Sequence, residues 1–244
     1  MRGRKNNEPQ MPEILDCIQG SEEWHRARMG IPTASEFGTV QARTPGGKAY
    51  GKTRQTYMRK LAGEIITDEP MEAYSNSNME RGSAMEDEAR QLYAFAHDVE
   101  PQQVGLVRRD DGAAGWSPDS LIGAAKGLEI KTAFPHIVIE KIEADRFPPE
   151  HKAQCQGALW VGDLESIDLV IYWPGMPVFE KTAFRDEDYI KKLAEEVTQF
   201  NEELHELVER IRRYGQPIKE TLRESLISHN EMMRQVQEKP SWPS

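Results

Sequence analysis

Asp119, Glu129 and Lys131 bring two carboxylates and an ammonium into the short stretch SPDSLIGAAKGLEIK, residues 117–131. In an extended strand alternate side chains share a face, so Glu129 and Lys131 point one way while Ile130 packs the other way. If the preceding strand delivers Asp119 to the same edge, the three polar groups converge. Two hard oxygen ligands suit Mg²⁺ or Mn²⁺, which bind through one or two carboxylates plus a substrate phosphate. The backbone carbonyl of Ile130 can supply a further ligand. The lysine then stands where it can orient a water for in-line attack on phosphorus, while the metal stabilises the developing charge. The same D-x9-E-x-K spacing also fits a plain hairpin with a surface Glu–Lys pair worth about 0–1 kcal/mol. Spacing alone does not choose between them.

Three further segments carry comparable groups. ERGSAMEDEAR (80–90) holds Glu86, either a third carboxylate for the same metal region or one more acid on a solvated helix face. QCQGALW (154–160) sets glutamines Gln154 and Gln156 ahead of Trp160 at the start of an apolar helix, where surface polarity above a core tryptophan is the plainer account. WHRARMGIPTAS (24–35) joins Trp24, Arg28, a glycine turn and a new helix start. Arginine and helix N-termini both favour anions, so this combination can hold a terminal phosphate; a core tryptophan beside a capped helix is the alternative.

These groups need elements to position them. Residues 21–29 read as a short helix with Ser21 as N-cap, and Thr33-Ala-Ser-Glu36 fits a capping box opening a second helix. QARTPGGKAYGK (41–52) reads as a flexible loop, followed by a helix over 53–66. Ala84, Ala89, Leu92 and Phe95 stand near helical spacing and predict an amphipathic helix over 79–96. Strands are expected over 104–109, 115–118, 127–134, 166–173 and 176–184, with helices over 149–161 and 186–213. Helices first, strands in the middle and a helix last predict a single α/β domain with a central mixed β-sheet flanked by helices. The expected organisation is a disordered N-terminal arm (1–20), one domain (21–213) and a partly helical, flexible tail (214–244).

Composition sets outer bounds. The chain has 244 residues, 30% of them charged and 38% hydrophobic, with a net charge of −10. No run of about 20 apolar residues predicts a membrane span, and MRGRKNNEPQMPE lacks the apolar core of a secretory signal. Cys17 and Cys155 are far apart with no CxxC pattern, which argues against a disulfide framework or structural zinc and for a reducing cytoplasm. Net acidity weighs against a nucleic-acid coat protein, but not against a nuclease with metal-binding carboxylates and one basic groove.

Taken in order, WHRARMGIPTASE, RGSAMEDEAR, SPDSL…GLEIK and AQCQGALW resemble the lambda-exonuclease/YqaJ group of phage-type recombination exonucleases, within the PD-(D/E)xK nuclease superfamily, from about Ser21 to about Trp160. The resemblance implies a PD-(D/E)xK core with Mg²⁺ (Mn²⁺ substituting) on Asp119, Glu129 and the Ile130 carbonyl, and Lys131 assisting the attacking water. It assigns the helix acid to Glu86 and the helix glutamine to Gln156, with Gln154 as the competing choice. It places a 5′-phosphate on Arg28, Ser35 and Ser117, a duplex-splitting wedge at Met79, and a DNA-tracking contact at Arg43. The implied activity degrades one strand of linear double-stranded DNA from its 5′ end to mononucleotides, leaving a 3′ overhang. The implied partners are the DNA, two further copies in a homotrimeric ring, and a single-strand annealing protein. A restriction- or repair-type endonuclease of the same fold shares the core chemistry and is the alternative. A non-catalytic binding module on this scaffold is a third reading, which the presence of every acid and the lysine does not favour.

Overall fold

The computed structural model describes residues 11–47, 49–71 and 77–215, with 77–83 described by backbone only. The chain divides into two compact units, Met1–Val208 and Glu209–Ser244, and both sheets and the hydrophobic core lie in the first. The expected tail falls largely beyond residue 215, outside the described residues.

Two sheets organise the first unit. In the smaller, β1 (Glu13–Leu15), β2 (Leu106–Arg108) and β3 (Gly115–Trp116) run antiparallel in that order. The larger has the order β4 (Ser120–Ile122), β5 (Lys126–Thr132), β6 (Ser166–Tyr172) and β7 (Phe179–Phe184), with β5 and β6 parallel and the outer pairs antiparallel. This is the mixed sheet expected from the element order. The single strand foreseen at 115–118 is instead a crossing: β3 ends at Trp116 in one sheet, and β4 begins at Ser120 in the other. Ser117, Pro118 and Asp119 span the junction.

The central strands are buried on both faces, as strands covered by helices on either side must be. Leu128, Ile130, Val170 and Tyr172 pack with Ala89 and Tyr93 of α4 (Ser77–His97). On the opposite face Leu169 and Ile171 pack with Val138 of α5 (Pro135–Ala144). The main core lies among α3 (Lys52–Thr67), α6 (Lys152–Gly162), α7 (Glu187–Arg212) and the segment from Ala34 through α2 (Phe37–Gln41). Helix α7 contributes Ile190, Leu193, Val197, Phe200, Leu204 and Val208, a three-and-four spacing that lays one apolar stripe on the core. A buried acid ties α4 to the sheet: Asp168 accepts from Tyr93 and Thr182, each at 2.6 Å, and pairs with Lys126 at 2.6 Å. Burial alone would raise the Asp168 carboxyl; these partners outweigh it and hold the group below the ordinary value.

Several local expectations are corrected. Ser21 does cap α1 (Glu22–Arg28), accepting from the Trp24 amide. Thr33, however, forms no capping box: Ala34–Glu36 is a 3-10 turn, and the Thr33 hydroxyl is taken by the Arg28 guanidinium instead. The 41–52 segment is pinned at its base rather than flexible, since Arg43 bridges Tyr50, Thr44 bonds Ala49, and Gly51 bonds Ala42. The arm expected over 1–20 contributes β1. On α4 Ala89 is buried as expected, but Tyr93 completes the stripe, while Leu92 is 44% and Phe95 90% exposed. Helix α5 was not expected at all.

Gly157 lets α6 approach the Ala34–Gln41 segment closely: a Cβ there would lie 2.2 Å from Cδ2 of the fully buried Phe37. Gly157→Ala is therefore expected to lose about 1–3 kcal/mol in denaturant unfolding. Gly38→Ala, whose Cβ would meet only Ala153 at 3.9 Å, is expected to be neutral or to gain up to about 1 kcal/mol.

Candidate active site

Glu129 and Lys131 lie two apart on β5, so they share the face opposite the Leu128 and Ile130 core side chains. Ser120 pairs with Leu128, and one further step of that antiparallel register sets Asp119 across from Glu129. Asp119 is locked there because one carboxylate oxygen accepts the Ile130 amide hydrogen at 2.5 Å. Lys131 reaches Glu129 Oε1 at 2.6 Å, and the Gln154 amide donates to the same oxygen at 2.5 Å. Glu129 is 2% exposed. Its second oxygen, Oε2, is buried with no hydrogen-bond partner among the described residues.

A buried carboxylate oxygen left unsatisfied costs about 1–3 kcal/mol or more, so this atom is placed to meet an electrophilic partner. Asp119, Glu129 Oε2 and the Ile130 carbonyl form a hard-oxygen donor set that suits Mg²⁺ or Mn²⁺. No group of three or more His, Cys, Asp or Glu side chains is gathered tightly enough to hold a metal among the described residues. The remaining positions in such a shell would fall to carbonyl, phosphate or water.

The structure separates the other predicted residues. Glu86 borders the same open cleft as Asp119, but its Oε1 is paired with Arg90 at 2.7 Å. Burial raises the Glu86 carboxyl; Arg90 opposes that and Glu129 adds to it. Glu86 thus sits within electrostatic reach of the site without completing a three-carboxylate cluster. Arg90 in turn donates to Ser120 at 3.0 Å, anchoring the residue after Asp119. Gln156 is elsewhere. Its amide nitrogen donates to the Phe184 carbonyl at 2.8 Å, and its oxygen accepts from the Asp186 amide at 2.9 Å, joining the end of β7 to the start of α7. Residues two apart on a helix face different ways, so Gln154 meets Glu129 while Gln156 is turned to the β7–α7 junction.

The predicted anion-binding residues are linked through two intermediates. The Trp24 indole N–H is shared by the Gly105 carbonyl at 2.9 Å and Ser117 Oγ at 3.0 Å. The Arg28 guanidinium lies over the Trp24 ring, 4.1 Å from its centroid, and donates to Thr33 Oγ1 at 3.3 Å. Thr33 Oγ1 is 3.3 Å from Ser35 Oγ. Arg28, Ser35 and Ser117 therefore belong to one chain of contacts that ends two residues from Asp119. Gln19 was missed by sequence reading: its side chain donates to the Val104 carbonyl at 3.0 Å and the Pro118 carbonyl at 2.7 Å, fixing the backbone just before Asp119. A lone exposed glutamine in an apparent arm carries no periodic signal that could have found it. Arg43 stands outside this chain, paired with Glu196 at 2.6 Å and stacked 3.8 Å over the Tyr50 ring. The Met79 side chain lies outside the described residues.

Electrostatics divide the acid and base. Burial, then Glu129 and Glu86, push the Asp119 carboxyl well above its ordinary value. Burial disfavours charge on Lys131, but Glu129 and Asp119 outweigh it and hold the amine above its usual value. In the metal-free protein Lys131 is an ammonium and cannot accept a proton. Because the folded-state value of Asp119 is raised, folding takes up a proton: the associated stability is present at low pH and is lost as pH rises through the folded value. Asp119→Asn keeps an acceptor for the Ile130 amide while removing the charge. In metal-free buffer it is expected to melt above the wild type at pH 7, with the gap closing as pH falls toward 4. A lower melting temperature at pH 7 would contradict the assignment.

The sequence model of the YqaJ-like viral recombinase domain matches residues 23–165, a span holding Arg28, Ser35, Glu86, Ser117, Asp119, Glu129, Lys131 and Gln154. The crystal structure of an alkaline exonuclease, LHK-Exo from Laribacter hongkongensis, superposes with a TM-score of 0.71 at 29% identity, covering 79% of this chain and 97% of that one. A second structure of LHK-Exo, in complex with dAMP, gives a TM-score of 0.71 at 30% identity with the same coverage. A phage-related exonuclease from Haemophilus somnus 129PT shares the fold at a TM-score of 0.56 and 15% identity, over 74% of this chain and 96% of that one. No match was found among curated proteins. With its mixed sheet, its crossing at Asp119 and its Glu129–Lys131 face, the chain belongs to the YqaJ-like viral recombinase domain family and has the PD-(D/E)xK exonuclease fold.

Proposed function

We propose that this protein is a Mg²⁺-dependent 5′-to-3′ exonuclease that degrades one strand of linear double-stranded DNA to mononucleotides and leaves a 3′ single strand. The observation that carries the reading is the buried, unsatisfied Glu129 Oε2 beside Asp119 and Lys131, joined through Ser117 to the Arg28 contact chain. A terminal phosphate held by Arg28, Ser35 and Ser117 puts the first phosphodiester near the carboxylates, which favours an end-dependent enzyme over the endonuclease alternative. The dAMP in a relative's structure is in keeping with a mononucleotide product. A homotrimeric ring and a single-strand annealing partner belong to the same reading by family resemblance. The net charge of −10 is compatible with DNA binding where cations line one groove only.

Asp119, Glu129 and the Ile130 carbonyl would hold the metal, which when bound supplies Lewis-acid charge to the phosphate and an acidified water. The chain's own groups do the rest. Ile130 fixes Asp119 through its amide, and Gln154 and Lys131 clamp Glu129 Oε1, leaving Oε2 as the oxygen that would hold the metal. Lys131, held as an ammonium, orients the water and offsets charge that develops on the phosphoryl oxygens. Held as an ammonium, the lysine is not the proton acceptor, and that role falls to solvent.

End-labelled linear duplex with 5′-phosphate ends is expected to be shortened in Mg²⁺ but not in EDTA, with closed circular duplex untouched and 5′-hydroxyl ends degraded more slowly. Equal cutting of circular DNA would replace this reading with the endonuclease. Lys131→Ala is expected to abolish turnover while the circular dichroism spectrum stays native, and retained cleavage would remove the assigned site.

The two glutamines give a second test. Gln154→Ala is expected to lower turnover at least tenfold with little change in denaturation midpoint. Gln156→Ala is expected to lose about 1–3 kcal/mol of stability, because two backbone groups lose their partner, with turnover per folded molecule nearly unchanged. The reverse pattern would return the catalytic assignment to Gln156.

A further inference from the structure

Past Thr132 the ends of β5 and β6 remain joined, since the Ala133 amide donates to the Tyr172 carbonyl at 3.1 Å. The next residue of each strand is aromatic. Phe134 and Trp173 meet with ring centroids 5.3 Å apart and planes inclined by 39°. The His136 ring lies nearly parallel to Phe134, at 10° and 6.2 Å. Phe134 occupies the N-cap of α5, a position that favours Ser, Thr, Asp or Asn because their side chains bond the free amides. It is also 52% exposed. Phe134 thus makes no side-chain cap bond and keeps about half of its surface open to solvent.

Its location suggests a use. Phe134 is three residues beyond Lys131, at most about 11 Å along an extended backbone. It stands at the carboxyl ends of two parallel strands, where open α/β sheets place ligands. Successive nucleotides of one strand are about 3.4 Å apart in a duplex, so the ring lies within a few nucleotides of a phosphate held at Glu129 and Lys131. Exposed aromatic faces bind unpaired bases by stacking and tolerate any sequence, because every base has a π-face. An enzyme that removes nucleotides one after another meets every base and needs that tolerance.

We infer that Phe134, backed by Trp173 and His136, is a stacking platform for an unpaired nucleobase within a few nucleotides of the scissile phosphate; the inference rests on the nuclease reading above. The platform holds the strand being cut by its bases, while Arg28, Ser35 and Ser117 hold it by phosphate.

The test is binding by the full chain in EDTA, so that nothing is cleaved. Two 5′-phosphorylated single strands of equal length are compared, one intact and one with its first three nucleotides abasic. The intact strand is expected to bind about tenfold more tightly. Phe134→Leu, which keeps apolar bulk without a π-face, is expected to bring the intact strand down to the abasic level and leave abasic binding unchanged. Phe134→Trp is expected to restore the preference. Unchanged binding by Phe134→Leu, or equal weakening on both strands, overturns the platform. A shift in solution mass for Phe134→Leu assigns the face to contact between copies and also overturns it. Hydrolysis of linear duplex by the wild type in Mg²⁺, run in parallel, reports on the nuclease reading alone.

Discussion

The Ile130 amide hydrogen donates to the Asp119 carboxylate, and through that bond a three-residue crossing between two sheets becomes a rigid part of the site. Ser117, Pro118 and Asp119 belong to neither sheet, so their own backbone could not fix them. Trp24 holds the first, Gln19 the second and the β5 amide the third. One face of the crossing presents a hydroxyl to the Arg28 chain and the next presents a carboxylate to Glu129. Through the crossing, the acidic pair and the anion-binding residues of α1 and the Ala34–Glu36 turn share one reference.

Metal-free, this arrangement is electrostatically uncomfortable. Asp119 and Glu129 are brought together away from water, and Asp119 responds by holding its proton more tightly. Glu129 spends one oxygen on two donors and leaves the other with none. Lys131 relieves part of the repulsion and is kept charged in return. Asp168, equally buried, has by contrast a partner for each oxygen. The contrast between two buried acids one strand apart separates a structural carboxylate from one positioned for a ligand.

Much of the site was legible because strand geometry is simple. A period of two places Glu129 and Lys131 on one face whatever surrounds them, and a tight antiparallel return brings Asp119 opposite. Helices were less legible, because the period of 3.6 fixes which residues share a face but not which face meets the sheet. That ambiguity put Leu92 and Phe95 on the expected core side of α4 in place of Tyr93, while the family resemblance chose Gln156 over the Gln154 that meets Glu129. The Thr33 capping box failed for another reason: the Arg28 guanidinium, five residues upstream, takes the hydroxyl in place of the helix amide. Gln19 and β1 were invisible since their partners are more than 80 residues away in sequence.

The hydroxyls beside the active site also have a direction. Trp24 and Arg28 can only donate, so Ser117 receives a hydrogen from the indole and Thr33 receives one from the guanidinium. Each oxygen that has accepted in this way still owns a proton, and that proton must turn to some other acceptor. The row of side chains is therefore polarised outward, offering hydrogens and cations but few lone pairs. Such a surface discriminates by hydrogen-bond polarity before any shape is read: an oxyanion, all acceptor, satisfies it, whereas an ammonium at the same spot would face donors with its own.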